Sequence, residues 1–181
     1  MEFFDIRNPD GTVTGKVKER ELVHRDGDLH GTVHIFIVRK GTEGPEILLQ
    51  KRSAEKDSFP GCYDISSAGH LSAGQDYFEA ACRELEEELG IHAGEEELRF
   101  IGFHEGYAKE IFYGKPFINH EISAVYLYEK EVDIGTLVLQ EEEVESVRWI
   151  PFSICKEKAA TRDKGYCLFE DELKMLEPYI R

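Results

Sequence analysis

Two hydrophobic periods run through this chain. Strand-like runs, alternating or continuously apolar and β-branched, occur near Phe3 to Arg7, Thr32 to Arg39, Glu46 to Lys51, Leu98 to Phe103, Phe117 to Tyr128 and Ser146 to Ile150. Asn8-Pro9-Asp10-Gly11 is a strong turn signal, and Arg39 to Pro45 reads as the loop joining two antiparallel strands. Between Asp76 and Leu89 the period changes. Phe78, Ala81, Cys82, Leu85 and Leu89 recur at helical spacing, and Gly90 stands where a helix-ending glycine belongs. Shorter helices are expected after Pro151 and from Leu168 to about Tyr179. Strands around a central helix, with helices near the end, predict a mixed α/β sandwich. No repeat or linker interrupts it, so residues 1–181 read as one domain.

The polar face of the central helix carries the first chemistry. At 100° per residue, Glu84, Glu87 and Glu88 fall within an arc of about 100°, away from the apolar stripe. Arg83 is the single base between Asp76 and Leu89. Like charges at these spacings cost about 0.2–0.5 kcal/mol per pair. A hard divalent cation such as Mg²⁺ or Mn²⁺ would offset that cost, with substrate phosphates completing its shell. On the charge pattern alone, a solvated acidic face explains the same residues equally well.

Charge narrows the partners. With 22 Lys and Arg against 37 Asp and Glu, the net charge is −15, so bulk nucleic acid is disfavoured. A small phosphorylated substrate needs a metal or a local basic cluster to dock. The four cysteines form no C-x-x-C pair, which fits free thiols in a reducing compartment. The start has no basic n-region, and no run approaches the ~18 apolar residues of a membrane span. A soluble cytoplasmic protein without membrane contact is expected; a homodimer is left open.

Read together with its flanks, the acidic helix becomes specific. Gly69, five residues, Gln75, seven residues, then Arg83-Glu84-Leu85-Glu86-Glu87-Glu88-Leu89-Gly90-Ile91 closely resembles the Nudix box, G-x5-E-x7-R-E-U-x-E-E-x-G-U with U aliphatic. Every fixed position matches except Gln75. The resemblance implies a Nudix-like α/β/α sandwich with a mixed β-sheet, and Mg²⁺ or Mn²⁺ held by Glu87 and Glu88, with Glu84 as a third ligand or as base. Arg83 would hold the carboxylates in place and joins Glu84 and Glu121 in the catalytic set. Arg52, Gly69, His70 and Gln75 form the expected substrate-binding set. The glycine-rich segment Ser66 to Gly74 is expected to bring backbone to the helix start, whose free N–H groups suit anions. An amide at Gln75 offers oxygen without charge, so a weaker metal site is expected.

Beyond the box, Val23 to His34, Leu48 to Ser53 and Ile65 to Leu71 resemble the Nudix branch related to isopentenyl diphosphate isomerase. That enzyme uses a cysteine two residues before its loop histidine, and a metal set of three histidines and two glutamates. Here His70 fills the loop position, but Ala68 stands where the thiol would be. In Asn119-His120-Glu121 only Glu121 matches the glutamates. His24 and His30 resemble the remaining histidines at a spacing one residue shorter, and a structural role fits them equally. The retained acidic helix favours hydrolysis: water attacks one phosphorus of a diphosphate linkage, and Glu84 or Glu121 takes its proton. Isopentenyl diphosphate isomerisation and a sensing module without turnover are the alternatives.

The substrate itself is not legible. Glu105 to Pro116 reads as a loop whose Tyr107, Lys109 and Lys115, together with Arg52 and Lys56, are candidates to contact the substrate's leaving part. Phe59, Tyr63 and Tyr107 are candidates to stack on a base.

Overall fold

The structure, a computed structural model, describes residues 1–180. Its organising strand is β3 (His30–Gly41), in which Val33, Ile35, Phe36 and Ile37 are all fully buried. A strand covered on both faces cannot alternate strictly apolar with polar, and Val33 to Val38 is accordingly apolar except for the buried His34. β3 pairs antiparallel with β1 (Phe3–Arg7), β4 (Gly44–Arg52) and β6 (Ser67–His70), and parallel with β8 (Lys115–Tyr128), so the sheet is mixed. β2 (Val13–Glu19) extends it beyond β1, β7 (Leu98–Phe112) beyond β8, and β5 (Tyr63–Asp64) and β9 (Val144–Pro151) flank β4.

Helices cover the two faces. On one, Val33, Ile35, Leu48, Ala124 and Tyr126 pack against Ala80, Ala81, Leu85 and Leu89 of α2 (Tyr77–Leu89). On the other, Phe36, Ile47, Leu49, Val125 and Leu127 meet Phe152 and Cys155 of α3 (Phe152–Ala160) and Leu173 and Leu176 of α4 (Glu170–Leu176). A short α1 (Arg20–Asp26) follows β2. The result is the expected α/β/α arrangement. Among the described residues, no helix is long and apolar enough to cross a membrane.

One irregularity positions the site. β3 and β4 pair only over Val38–Gly41 and Gly44–Ile47, then diverge. β6 takes the vacated edge of β3, pairing Ser67 to His70 with Ile35 to Thr32. A cleft opens where the strands part.

Several elements depart from the sequence expectation. Ser66 to Gly74 is strand β6 before it turns, because β3 offers it an unpaired edge. Glu105 to Pro116 is not a loop but the far end of a hairpin, turning at Tyr113 and Gly114 with φ of 52° and 76°. Pairs such as Lys109 with Ile118 and Ile111 with Pro116 continue the ladder there, so cross-strand bonding outweighs local polarity. The loop after Arg39 shortens to the hairpin turn at Thr42-Glu43, and the last helix to Glu170–Leu176. β2 carries no apolar run to mark it, since Val13 and Val17 are its two apolar residues and both are exposed.

Candidate functional site

The acidic face of α2 seats directly on β6. A Cβ built on Gly69 would lie 1.9 Å from Cδ and Oε1 of Glu84, so only glycine leaves that carboxylate its place. Glu88, 5% exposed, is held by one oxygen: its Oε2 accepts from Ser67 Oγ (2.7 Å), Gln50 Nε2 (3.1 Å) and the Ala68 amide (3.2 Å). Arg83 ties the wall together. Its Nη1 pairs with Glu84 Oε1 at 2.8 Å and Glu87 Oε2 at 3.1 Å, and its Nη2 donates to the His70 carbonyl (3.0 Å) and Gln75 Oε1 (3.3 Å).

Glu84, Glu87, Glu88, Arg83, Gly69, His70, Arg52 and Glu121 all line one cleft of about 1360 Å³. Gln75 lies outside that lining and braces the turn, its Oε1 also accepting from the Ser72 amide. The helix start is likewise engaged. Asp76 caps it, accepting from the Glu79 amide at 2.9 Å, so a protein carboxylate fills the place expected for an anion.

Burial, with the Glu88 charge nearby, pushes the Glu84 carboxyl up to about 8 against the pull of Arg83. Burial lifts Glu88 to about 7, opposed by its hydrogen bonds to Ser67 and Ala68. Two buried acids that resist ionising side by side, with Glu87 at the rim, fit a hard divalent cation.

A pH dependence follows. In metal-free protein Glu84 and Glu88 keep protons that the unfolded chain has lost above its carboxyl value of 4.5, so stability falls as pH rises through about 7 and 8. His34, buried but raised to about 9 by Glu172, Glu121 and Asp64, acts in the same direction above 6.5. His24, His30 and His70, all lowered in the folded protein, bind protons only in the unfolded chain near 6.5, so they oppose this fall there and cease to matter as pH rises well above 6.5. Each full proton of difference is worth about 1.4 kcal/mol per pH unit. Melting in EDTA should therefore drop by several degrees between roughly pH 7 and 8.5, and Mn²⁺ should restore more at the higher pH. A flat profile would contradict the assigned protons.

A second group of donors lies beside the carboxylates. His24 from α1, His30 from β3 and His70 from β6 place ligand atoms within 4.8 Å of one another. The Nε2 atoms of all three are buried without a hydrogen-bond partner. His24 Nδ1 donates to the Arg20 carbonyl at 3.1 Å and His30 Nδ1 to the Asp28 carbonyl at 2.9 Å, which leaves each Nε2 as a lone pair. Burial holds His24 down at about 4 and lowers His30 and His70, favouring the neutral imidazole that ligates metals. The structure thus brings His24 and His30 to His70, and three imidazoles suit a borderline cation such as Zn²⁺.

Glu121 sits between the two regions. Its carboxylate lies 3.6 Å from His70 Nε2 and 3.9 Å from His34 Nε2. His34 and its partner Glu172 escaped the sequence reading. Glu172 looks there like one of three acids in a helix's first turn, and nothing in the sequence aims it at β3.

The remaining candidates divide. Arg52 lines the cleft but is engaged by Asp64 (3.0 Å) and the Ser58 carbonyl (2.9 Å), and Lys56 pairs with Glu143. Phe59 and Tyr107 line the cleft, Phe59 at a left-handed φ of 47° and edge-on to Phe112. Lys109, Lys115 and Tyr63 lie outside the lining; Tyr63 stacks on Tyr166.

Comparison with known proteins fits this geometry. The model of the NUDIX domain matches residues 28–169. Nudix hydrolase 3 of Arabidopsis thaliana is 40% identical over 173 residues, covering 93% of this chain and 22% of that protein. An uncharacterized Nudix hydrolase of Clostridium acetobutylicum is 37% identical over 143 residues, 79% of this chain and 66% of the relative. The chain therefore spans less than two thirds of either relative. The crystal structure of DR0079 from Deinococcus radiodurans shares the fold, with a TM-score of 0.64 and 19% identity over 99% of this chain and all of that one. With the box residues gathered on one cleft wall and the domain matched over most of its length, this chain belongs to the Nudix hydrolase family.

Proposed function

We propose that this protein is a divalent-metal-dependent hydrolase of organic diphosphates, cleaving the anhydride by attack of water at phosphorus. The observation that carries the reading is the convergence of Glu84, Glu87 and Glu88 on one wall of a cleft that Glu121 also lines. These three carboxylates would hold Mg²⁺ or Mn²⁺, oxygen donors for a hard ion. When bound, the metal supplies Lewis-acid polarisation of the P–O bonds and acidification of water. Glu121, 7% exposed, takes the proton of the attacking water. The bridging P–O bond then breaks, and one phosphate leaves with each fragment. Arg83 keeps Glu84 and Glu87 aimed, while the charges of Arg52 and Lys56 are balanced by Asp64 and Glu143 in the same cleft, which leaves the substrate's phosphates dependent on the metal.

The histidine cluster favours a second reading, isopentenyl diphosphate isomerisation, since its composition matches the histidines of that enzyme's metal set. Against it stands Ala68, which lines the cleft without the thiol that proton transfer at carbon needs. The sensing alternative rested on Gln75, and that amide is occupied with Arg83 and Ser72 outside the cleft.

The test is turnover of nucleoside diphosphates, triphosphates, nucleotide sugars, dinucleotides and isopentenyl diphosphate with Mg²⁺ or Mn²⁺. Cleaved anhydride, abolished by EDTA, is the expected result. Binding without products would support a sensor, and isomerised isopentenyl diphosphate would replace hydrolysis with the second reading.

A further inference from the structure

The helix-covered face of the sheet beneath α4 is apolar except where two acids of α4 meet histidines: Asp171 lies 3.1 Å from His104 of β7, and Glu172 pairs with His34. Glu172 is 1% exposed and neighbours Leu173 and Leu176, both buried in the core. Its Oε1 accepts from His34 Nδ1 at 2.6 Å, joining α4 to β3 across 138 residues of sequence. The opposite ring nitrogen of His34 faces the cleft. Nε2 lies 3.4 Å from Ser123 Oγ and 3.9 Å from Glu121 Oε2, and Ser123 is itself bonded to Thr32 at 2.7 Å. Glu121 and Ser123, two apart on β8, share one side of the strand, so the ring meets both.

Stability does not explain such a pair. Replacing both members of a buried ion pair by well-packed apolar side chains is often neutral or stabilising, and this pair borders an apolar core. What the pair does accomplish is geometric: a ring clamped at Nδ1 presents Nε2 to Glu121 in one orientation.

Resting on the hydrolase reading above, we propose that Glu172 and His34 are positioning residues, a buried pair through which the C-terminal helix fixes the carboxylate of Glu121 for catalysis. Glu172 touches no substrate in this scheme; it acts through the imidazole. The pair makes α4 part of the active site, although the helix lies far from the box in sequence.

Two substitutions separate this role from packing. Glu172→Leu removes the clamp. Because it leaves His34 Nδ1 buried without its acceptor, it should lower the melting temperature, while kcat measured well below the melt falls about 10-fold at unchanged KM. Glu172→Gln, whose amide oxygen still accepts from Nδ1, should recover most of that loss. In a Glu121→Gln background, Glu172→Leu should cost nothing further, because the two act as one unit. Losses that multiply, wild-type kcat in Glu172→Leu, or a kcat that falls only in step with melting would overturn the proposal. Crystal structures of wild type and Glu172→Leu give a readout independent of turnover: Glu121 should hold one conformer in the first and leave it in the second. If no panel compound is cleaved by wild type, the hydrolase reading fails; an unmoved Glu121 in the variant defeats the positioning role by itself.

Discussion

Glu88→Gln is expected to lower turnover at least ~100-fold while leaving the fold intact. The structure separates the two effects. Only Oε2 of Glu88 receives the hydrogen bonds from Ser67, Gln50 and Ala68. A glutamine can set its carbonyl oxygen there and keep all three donors satisfied, so no buried group is orphaned. The other oxygen is then replaced by an NH₂, which can neither ligate a cation nor carry charge. Because burial already makes the Glu88 carboxylate costly to ionise, the neutral amide should also stabilise metal-free protein at pH 8. Lost kcat with an equal or higher melting temperature is thus the signature, read by steady-state assay beside a thermal melt. Near-normal turnover would remove Glu88, and with it the metal-dependent mechanism, from the reaction.

The parts of this site that were legible in the sequence share one property: their residues lie in a continuous strand, turn and helix. Gly69, Arg83, Glu84, Glu87 and Glu88 are brought together by local geometry, so their spacing alone encodes the contact between β6 and α2. The central helix was legible for the same reason, ending at Gly90 where its spacing placed a terminal glycine. The histidine cluster was only half legible. Its members come from three elements, and no spacing rule states that α1, β3 and β6 meet. The His34–Glu172 pair was invisible, because a contact spanning 138 residues is decided by how α4 docks on the sheet. Gln75 shows the converse error. Its place in the box suggested a metal site weakened at that position, yet the side chain points into the turn and bonds Arg83 and Ser72. Sequence position identified a member of the constellation without revealing which way it faces.

The same distinction between place and direction governs Gly69→Ala, for which a loss of turnover of about 100-fold is expected with little loss of fold. The alanine Cβ would fall 1.9 Å from the Glu84 carboxyl and 2.5 Å from its Cγ, so one of the two must move. Gly69 is fixed by its pairing with Val33 in the sheet, and α2 is fixed by Leu85 and Leu89 in the core. The carboxylate, at the end of a flexible side chain, is what yields. Glu84 then swings off the wall and away from its place beside Glu88, which empties one ligand position and relieves the burial and like-charge repulsion that raise Glu84. Gly69→Ala should therefore match Glu84→Gln in kcat and in weakened Mn²⁺ binding by titration, and combining the two should add nothing. If the double substitution is instead much worse than either, the glycine serves the strand rather than the carboxylate, and the close approach of β6 to α2 is not what this position protects.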